Sequence, residues 1–162
     1  MCEADREGSC CFLGHRKICE TEQLKRQLRM TIEQLIEREG INTFLFGSKS
    51  RFNDLCYELV TEIKGKHPHI RRVYVRAEYP NIGDRYRAYL LKSYEQTYYP
   101  KKIMNAGKAV YIERNYEMIR QSRVCIIYYD EAAVHNKSGT KASLAYAKRL
   151  HKEIVRFPML EG

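Results

Sequence analysis

The chain of 162 residues carries 29 Lys and Arg against 20 Asp and Glu, a formal net charge of +9 at pH 7. Hydrophobic residues make up 44% and charged residues 30%, which is the composition of an ordinary globular domain with a core to bury. No apolar stretch is long enough to span a membrane, and the charged start of the chain argues against a signal peptide. We therefore expect a cytoplasmic protein with no membrane partner, whose positive surface favours anionic ligands.

Six cysteines invite a disulfide interpretation, but their surroundings favour free thiols. Cys11 and Cys125 lie in strand-like apolar runs and Cys56 lies in a helix-like run, where a thiol acts as a small hydrophobe. No CxxC pair is present, so the spacing of Cys10, Cys11 and Cys19 does not fit a zinc site. We expect reduced cysteines and no bound metal.

Short apolar runs alternate with amphipathic segments along the whole chain. In chain order, the predicted elements are a strand at 9–13, a helix at 21–39, a strand at 43–46, a helix at 52–63, a strand at 72–77, helices at 84–94 and 112–120, a strand at 124–129, a helix at 141–151 and a strand at 153–157. This alternation is typical of a parallel sheet that is covered on both faces.

The predicted fold class is α/β, a Rossmann-like three-layer sandwich with a mostly parallel sheet of about five strands. One domain over residues 9–158 is expected between a disordered N-terminal tail at 1–8 and a C-terminal tail at 159–162. The role of the segment 78–108 is hard to read from the sequence. Its Tyr-rich part, 94–99, suits either a homo-oligomer interface or a cover for the core.

Glycine and polar residues cluster where the predicted strands end. Gly14, His15 and Arg16 follow the first strand, Gly47 and Ser48 follow the second, and Asp130 follows the strand at 124–129. In a parallel sheet these ends share one edge, and ligands of open α/β sheets bind at that edge near the topological switch point. The sequence therefore predicts a ligand site there.

The segment Ser138-Gly139-Thr140-Lys141 opens the helix that follows Asp130. A helix N-terminus offers unpaired N–H donors and a partial positive charge, and hydroxyls and a lysine add to both, so the segment suits a phosphate. An ordinary helix cap has the same composition. The segment lacks the spacing of a Walker loop, and no GxGxxG fingerprint follows the first strand.

Several other candidate contacts have two interpretations from the residues alone. His15 and Arg16 are either ligand contacts or surface turn residues. Arg114 and Asn115 either reach the ligand or belong to a solvated helix face with a local ion pair to Glu113. Asp54 is either a ligand contact or a favourable acid in the first turn of its helix.

Four segments together resemble the YpsA/YoqJ-like branch of the SLOG superfamily: CCFLGHR, FLFGSKSRFNDL, AGKAVYIERNYEMI and SGTKASLAYAKR. The resemblance runs from Cys10 to Phe157. It implies a Rossmann-like fold and a nucleotide-type, phosphate-bearing ligand, including NAD- or ADP-ribose-like molecules, at the carboxyl edge of the sheet. In this comparison Gly14, His15 and Arg16 match the branch's GHR turn.

The remaining matches and departures bear on activity. Gly47 and Ser48 stand at the Gly-rich turn with Asp54 at the acid beyond it, and Ser138, Gly139 and Thr140 match the phosphate-facing turn. LOG phosphoribohydrolases carry PGGxGTxxE, whose Glu takes part in cleaving the N-glycosidic bond. Here Ser143 occupies the Glu position, and residues 135–137 replace Pro-Gly-Gly.

Three functions follow from these observations, and the first has the most support. The chain is a nucleotide-binding module without an assigned catalytic residue, an N-glycosidase or phosphoribohydrolase, or a nucleic-acid binder like the superfamily's DNA-processing Smf/DprA members. A structural role with a protein partner is the remaining option.

Overall fold

One parallel sheet of six strands forms the centre of the molecule, which the computed structural model describes over residues 3–103, 106–133 and 139–159. The strands are β1 (Ser9–Gly14), β2 (Thr43–Phe46), β3 (Arg71–Val75), β4 (Gln96–Tyr98), β5 (Val124–Tyr128) and β6 (Glu153–Phe157). Strands β2 and β5 are buried at every residue, because their apolar runs are covered on both faces. The structure confirms the predicted α/β fold class.

The helices are α1 (Glu3–Glu7), α2 (Glu22–Glu39), α3 (Arg51–Lys64), α4 (Asp84–Leu90), α5 (Val110–Arg120) and α6 (Gly139–Arg149). The side chain of Thr21 accepts the Leu24 N–H at the start of α2, and that helix ends at Gly40, whose φ of 71° is left-handed. Ser50 caps α3 in the same way by accepting the N–H of Asn53.

The strand order in the sheet is β4-β3-β2-β1-β5-β6. The chain builds outward from β1 to β4, then crosses back and continues on the other side of β1, where Cys11 of β1 is in register with Cys125 of β5. The topological switch point therefore lies between β1 and β5, and the crevice above their carboxyl ends is the expected ligand position.

Alternate residues of the strands fill two separate cores. On one face, Phe12, Phe44 and Phe46 pack with the apolar sides of α2 and α3. On the other face, Leu13 and Ile127 pack with α5 and α6. The amphipathic stripe of each of these helices is thus buried against one side of the sheet, which makes the molecule a three-layer sandwich.

The region after β3 differs from the sequence prediction. The predicted helix at 84–94 ends at Leu90, and Gln96–Tyr98 adds β4 as a sixth strand beside β3. Only Thr97 of β4 is buried, so this strand has no apolar run to reveal it. Tyr94 packs on Tyr57 and Tyr74, so in this structure it covers the core.

The N-terminal segment also differs from the predicted tail. Residues Glu3–Glu7 form α1, and backbone carbonyls at its C-terminal end are hydrogen-bonded to the rest of the domain. The guanidinium of Arg123 donates to the Glu7 carbonyl at 2.8 Å, and the Gly8 carbonyl accepts the Asn42 N–H at 2.9 Å. Of the predicted C-terminal tail, only Met159 lies within the described residues.

The five cysteines in the described ranges are free thiols, four of them buried. Burial raises the pKa of Cys10 and Cys56, so these thiols stay protonated. No helix in the described part of the chain combines the length and the apolar character needed to cross a membrane.

Candidate functional site

A cavity of about 670 Å³ lies at the carboxyl edge of the sheet, at the switch point. Its walls come from the turns after β1 and β2 and from the starts of α5 and α6. The lining residues are Gly14, His15, Arg16, Ser48, Lys49, Ser50, Lys108, Tyr111, Ile112, Arg114, Asn115, Gly139 and Thr140. A space of this size suits a small organic ligand.

Arg114 is the most unusual residue of the cavity, because its charge is buried without a counter-ion. The residue is only 4% exposed. Its Nε donates to Oδ1 of Asn115 at 3.0 Å and its Nη1 donates to the Val75 carbonyl at 3.4 Å. Over the described ranges, no carboxylate lies within salt-bridge distance of the guanidinium, and burial lowers its pKa to about 10.

Gly47 allows Arg114 to reach this position. A Cβ at residue 47 would lie 2.8 Å from Cδ of Arg114 and 2.9 Å from the Val75 carbonyl oxygen. The Arg114 side chain thus passes directly over the backbone at the end of β2, where only glycine leaves room. Gly47 is not itself a lining residue of the cavity. It contributes by leaving room for the Arg114 side chain, which is one.

The turn after β2 is fixed by the first turn of α3. Ser50 Oγ accepts the Asn53 N–H at 3.0 Å, and Asn53 Oδ1 accepts the Gly47 N–H at 3.2 Å. The Arg51 N–H donates to the Arg16 carbonyl at 3.0 Å and joins this turn to the one after β1. Ser48, Lys49 and Arg16 are therefore held against each other at the cavity wall.

His15 joins the ends of the two strands that flank the switch point. Its Nε2 accepts the backbone N–H of Asp130 at 3.0 Å, and its ring packs against Tyr128 and Tyr129. Burial lowers the pKa of His15, against an opposing effect of the Asp130 charge. A neutral imidazole that accepts at Nε2 carries its proton on Nδ1, which is then an uncharged hydrogen-bond donor.

A groove of about 500 Å³ adjoins the cavity and shares Arg16, Ser48, Lys49 and Ser50 with it. Its further lining residues are Gly47, Arg51, Asn53, Asp54, Tyr74 and Tyr94. The two hollows together extend from the switch point over the start of α3. Asp54 therefore lies beside the cavity and not in its wall.

The structure brings most of the predicted site residues together. Eight of them line the cavity: Gly14, His15, Arg16, Ser48, Arg114, Asn115, Gly139 and Thr140. The interpretation of Arg114 as part of a solvated face with a local ion pair is wrong, since the residue is buried and unpaired with any described acid. Ser138 lies outside the described residues, as do residues 135–137.

Asp130 and Lys141 are predicted contacts that the structure places elsewhere. The carboxylate of Asp130 accepts the Ala132 N–H at 3.1 Å and so stabilises the turn after β5, away from the cavity wall. Lys141 belongs to the first turn of α6 but is not a lining residue. Asp130 nevertheless serves the site through its backbone N–H, which holds His15.

Five lining residues were missed by the sequence prediction: Lys49, Ser50, Lys108, Tyr111 and Ile112. Lys49 and Ser50 directly follow the Gly47-Ser48 turn, so their position beside a strand end was an available signal. Lys108 lies in the 3-10 turn at residues 107–109, where hydrophobic periodicity gives no orientation. Tyr111 lies in the first turn of α5, ahead of the predicted helix start at residue 112.

The cavity is cationic. Its lining includes Arg16, Lys49, Lys108 and Arg114, and none of the described lining residues is an Asp or Glu. Several like charges around a partly enclosed space create a positive potential that attracts anions. Hydroxyls of Ser48, Ser50 and Thr140 add neutral hydrogen-bonding groups. Within the described ranges, no group of three or more His, Cys, Asp or Glu side chains is placed to hold a metal ion.

Fold and site together define a class: a doubly wound parallel α/β protein with a cationic cavity at its switch point. Comparison with known protein families and with curated proteins finds no match to this chain.

Proposed function

We propose that this protein binds a phosphate-bearing, nucleotide-type small molecule in the switch-point cavity. One observation carries the proposal: Arg114 is buried at the cavity wall, and no carboxylate of the described residues lies within salt-bridge distance of its guanidinium. A buried charge without a partner destabilises a protein, so its retention is best explained by an anion that supplies the missing partner. A phosphate matches the planar guanidinium through paired hydrogen bonds.

The other lining groups suit the same ligand. Gly139 and Thr140 begin α6, and first-turn N–H groups of a helix favour an anion. Arg16, Lys49 and Lys108 add positive charge, while Tyr111 and Ile112 offer the apolar surface that a base or sugar needs. The ligand's identity beyond this chemistry, including an NAD- or ADP-ribose-like form, is part of the proposal.

We also propose that the chain belongs to the SLOG superfamily, on the sequence segments that resemble it. The GHR turn, the YIERN segment and the GTK start of α6 carry the resemblance, and residues of all three line the cavity: Arg16, Arg114 and Thr140. A nucleotide-derived ligand at the carboxyl edge is what that resemblance implies.

A phosphoribohydrolase has less support than a binding module. That reaction needs an acid at the glycosidic bond, and the described cavity residues include none. Ser143, at the position of the LOG glutamate, is a fully buried residue of α6, and neither Ser143 nor Glu113 is among the lining residues. The nucleic-acid alternative rests on the net charge and on the resemblance to the superfamily's DNA-processing members.

Identification of a bound molecule tests the proposal. The purified protein is denatured, and any released small molecule is identified by mass spectrometry. A thermal-shift panel of nucleotides, NAD and ADP-ribose follows, each beside its phosphate-free counterpart. We expect at least one phosphate-bearing compound to raise the melting temperature and the phosphate-free forms to have no effect.

Two arginine variants make the test specific. Arg114→Met removes the buried guanidinium and is expected to abolish the shift. Arg29→Met removes the same charge from an exposed pair with Glu62 on the outer side of α2 and is expected to keep it. Absence of any shift in a folded wild-type sample, or an equal shift in Arg114→Met, contradicts the proposal.

A further inference from the structure

Glu78 links two walls of the cavity, although it is not itself a lining residue. It lies in the loop after β3, where its Oε1 accepts hydrogen bonds from the Tyr111 hydroxyl of α5 and from Nζ of Lys49, the latter at 3.4 Å. Lys49 and Tyr111 both line the cavity. These three residues, named here the Glu78 bridge, join the turn after β2 to the start of α5 across the cavity's edge.

The bridge carries the negative charge that the cavity wall lacks. Hydrogen bonds from Tyr111 and Lys49 lower the pKa of Glu78, and the charge of Arg114 lowers it further, so the carboxylate is ionised at neutral pH. Glu78 in turn raises the pKa of Lys49. The carboxylate thus faces the same cations that an anionic ligand would use.

The bridge is also easy to open. The side chains of Lys49 and Glu78 are 77% and 36% exposed, and an ion pair at such a surface contributes little to stability. Opening it costs the fold little, while a phosphate can hold Lys49 more strongly than a single carboxylate does.

We propose that the Glu78 carboxylate pairs with Lys49 in the unliganded protein and is displaced from Lys49 when a phosphate-bearing ligand enters the cavity. This inference rests on the proposed function. Glu78 is then a specificity-determining residue. Weakly binding anions do not displace it from Lys49, whereas a phosphate does. Removal of Glu78 frees Lys49 for the ligand.

The test measures nucleotide affinity in a double-mutant cycle of Glu78→Gln and Lys49→Met. The probes are the four nucleoside 5′-monophosphates, each beside its uncharged nucleoside, titrated by calorimetry at pH 8. Glu78→Gln is expected to tighten binding of the monophosphate by about three- to tenfold, the effect of one charge at short range in a solvent-exposed site. Nucleoside affinity stays unchanged.

The cycle separates displacement from simple repulsion. If Glu78 competes for Lys49, the gain from Glu78→Gln disappears in the Lys49→Met background. If the gain persists in that background, Glu78 acts only by long-range repulsion and the displacement is wrong. Glu62→Gln, which removes one exposed carboxylate paired with Arg29 on another surface, is the matched control and leaves affinity unchanged.

The outcomes also separate this inference from the proposed function. Equal monophosphate affinities of the wild type and Glu78→Gln would overturn the role of Glu78. The proposed binding function would then still hold, because the wild type binds the monophosphate. Failure of the wild type and of both variants to bind any monophosphate or any compound of the thermal-shift panel overturns both.

Discussion

Arg114 is the residue at which folding and the proposed ligand binding make opposite demands. Burial lowers its pKa from 12.5 to about 10, so at neutral pH the folded protein keeps a charge in an environment that disfavours it. A difference of that size corresponds to about 3 kcal/mol against the charged folded state. The buried charge is thus costly for the unliganded fold, and the proposed anionic ligand would offset that cost.

Replacement of this residue should therefore separate stability from binding. We expect Arg114→Met to raise the free energy of unfolding of the ligand-free protein by about 1–3 kcal/mol, because the buried charge is lost and the aliphatic volume is retained. Urea unfolding of ligand-free samples measures it. A variant that is less stable than the wild type would show that the hydrogen bonds to Val75 and Asn115 outweigh the cost of burial.

His15 predicts a pH dependence with a defined sign. Because burial lowers its pKa below the ordinary value of 6.5, the unfolded chain takes up a proton at higher pH than the folded protein does. The stability that His15 contributes is complete above pH 6.5 and falls as the pH drops below it. Glu20, Glu78 and Glu95 have pKa values lowered from 4.5, so their effect begins at more acidic pH.

The measurement is the free energy of unfolding between pH 7.5 and pH 5. The wild type should lose stability over this range, and His15→Gln, which has no titrating ring, should lose less. Equal slopes for the two proteins would show that the Asp130 N–H does not hold a neutral imidazole in solution.

At the scale of elements, the start of α3 serves both the fold and the site. Its cap, Ser50, lines the cavity and fixes the turn that carries Ser48 and Lys49. The cap of α2, Thr21, makes the same kind of bond at 3.0 Å but lies away from the cavity. The two caps are therefore a natural pair for comparison.

We expect Ser50→Ala and Thr21→Ala each to cost about 1 kcal/mol of stability, the usual effect of losing a helix cap. Only Ser50→Ala should also weaken nucleotide binding, because it frees the turn after β2. Thermal unfolding and calorimetry on both variants test this pair. Equal nucleotide affinities of Ser50→Ala and the wild type would show that the turn after β2 does not contribute to binding.

The elements also show how far the sequence predicts the molecule. Strands β2 and β6 have the predicted bounds, since each is a short run of strand-forming residues between turn signals. Strand β4 was missed because its residues alternate weakly and follow an exposed helix. The positions of the strand ends were enough to predict at which edge of the sheet the cavity lies. The burial of Arg114 could not be predicted, because it depends on Gly47 and Val75, which are distant from it in sequence.

At the scale of the whole molecule, protection from solvent falls from the centre of the sheet to its β4 edge. Strand β1 pairs on both sides and is covered on both faces, whereas β4 pairs only with β3 and six of the seven residues of α4 are exposed. We expect β1 and β5 amides to exchange with solvent only on global unfolding, and α4 amides through local opening. Hydrogen exchange with mass spectrometry distinguishes the two; similar rates in β1 and α4 would contradict it.

The walls of the cavity come from opposite ends of the chain. Gly14 ends β1, whereas Gly139 and Thr140 begin α6, and all three line the cavity. During synthesis the first wall emerges long before the second, so the partly made chain carries Arg16 and Lys49 before the cavity around them is complete. A ligand in the cavity would link segments far apart along the chain and oppose their separation, much as a crosslink between them would. The cavity is therefore complete only when α6 has packed against the sheet.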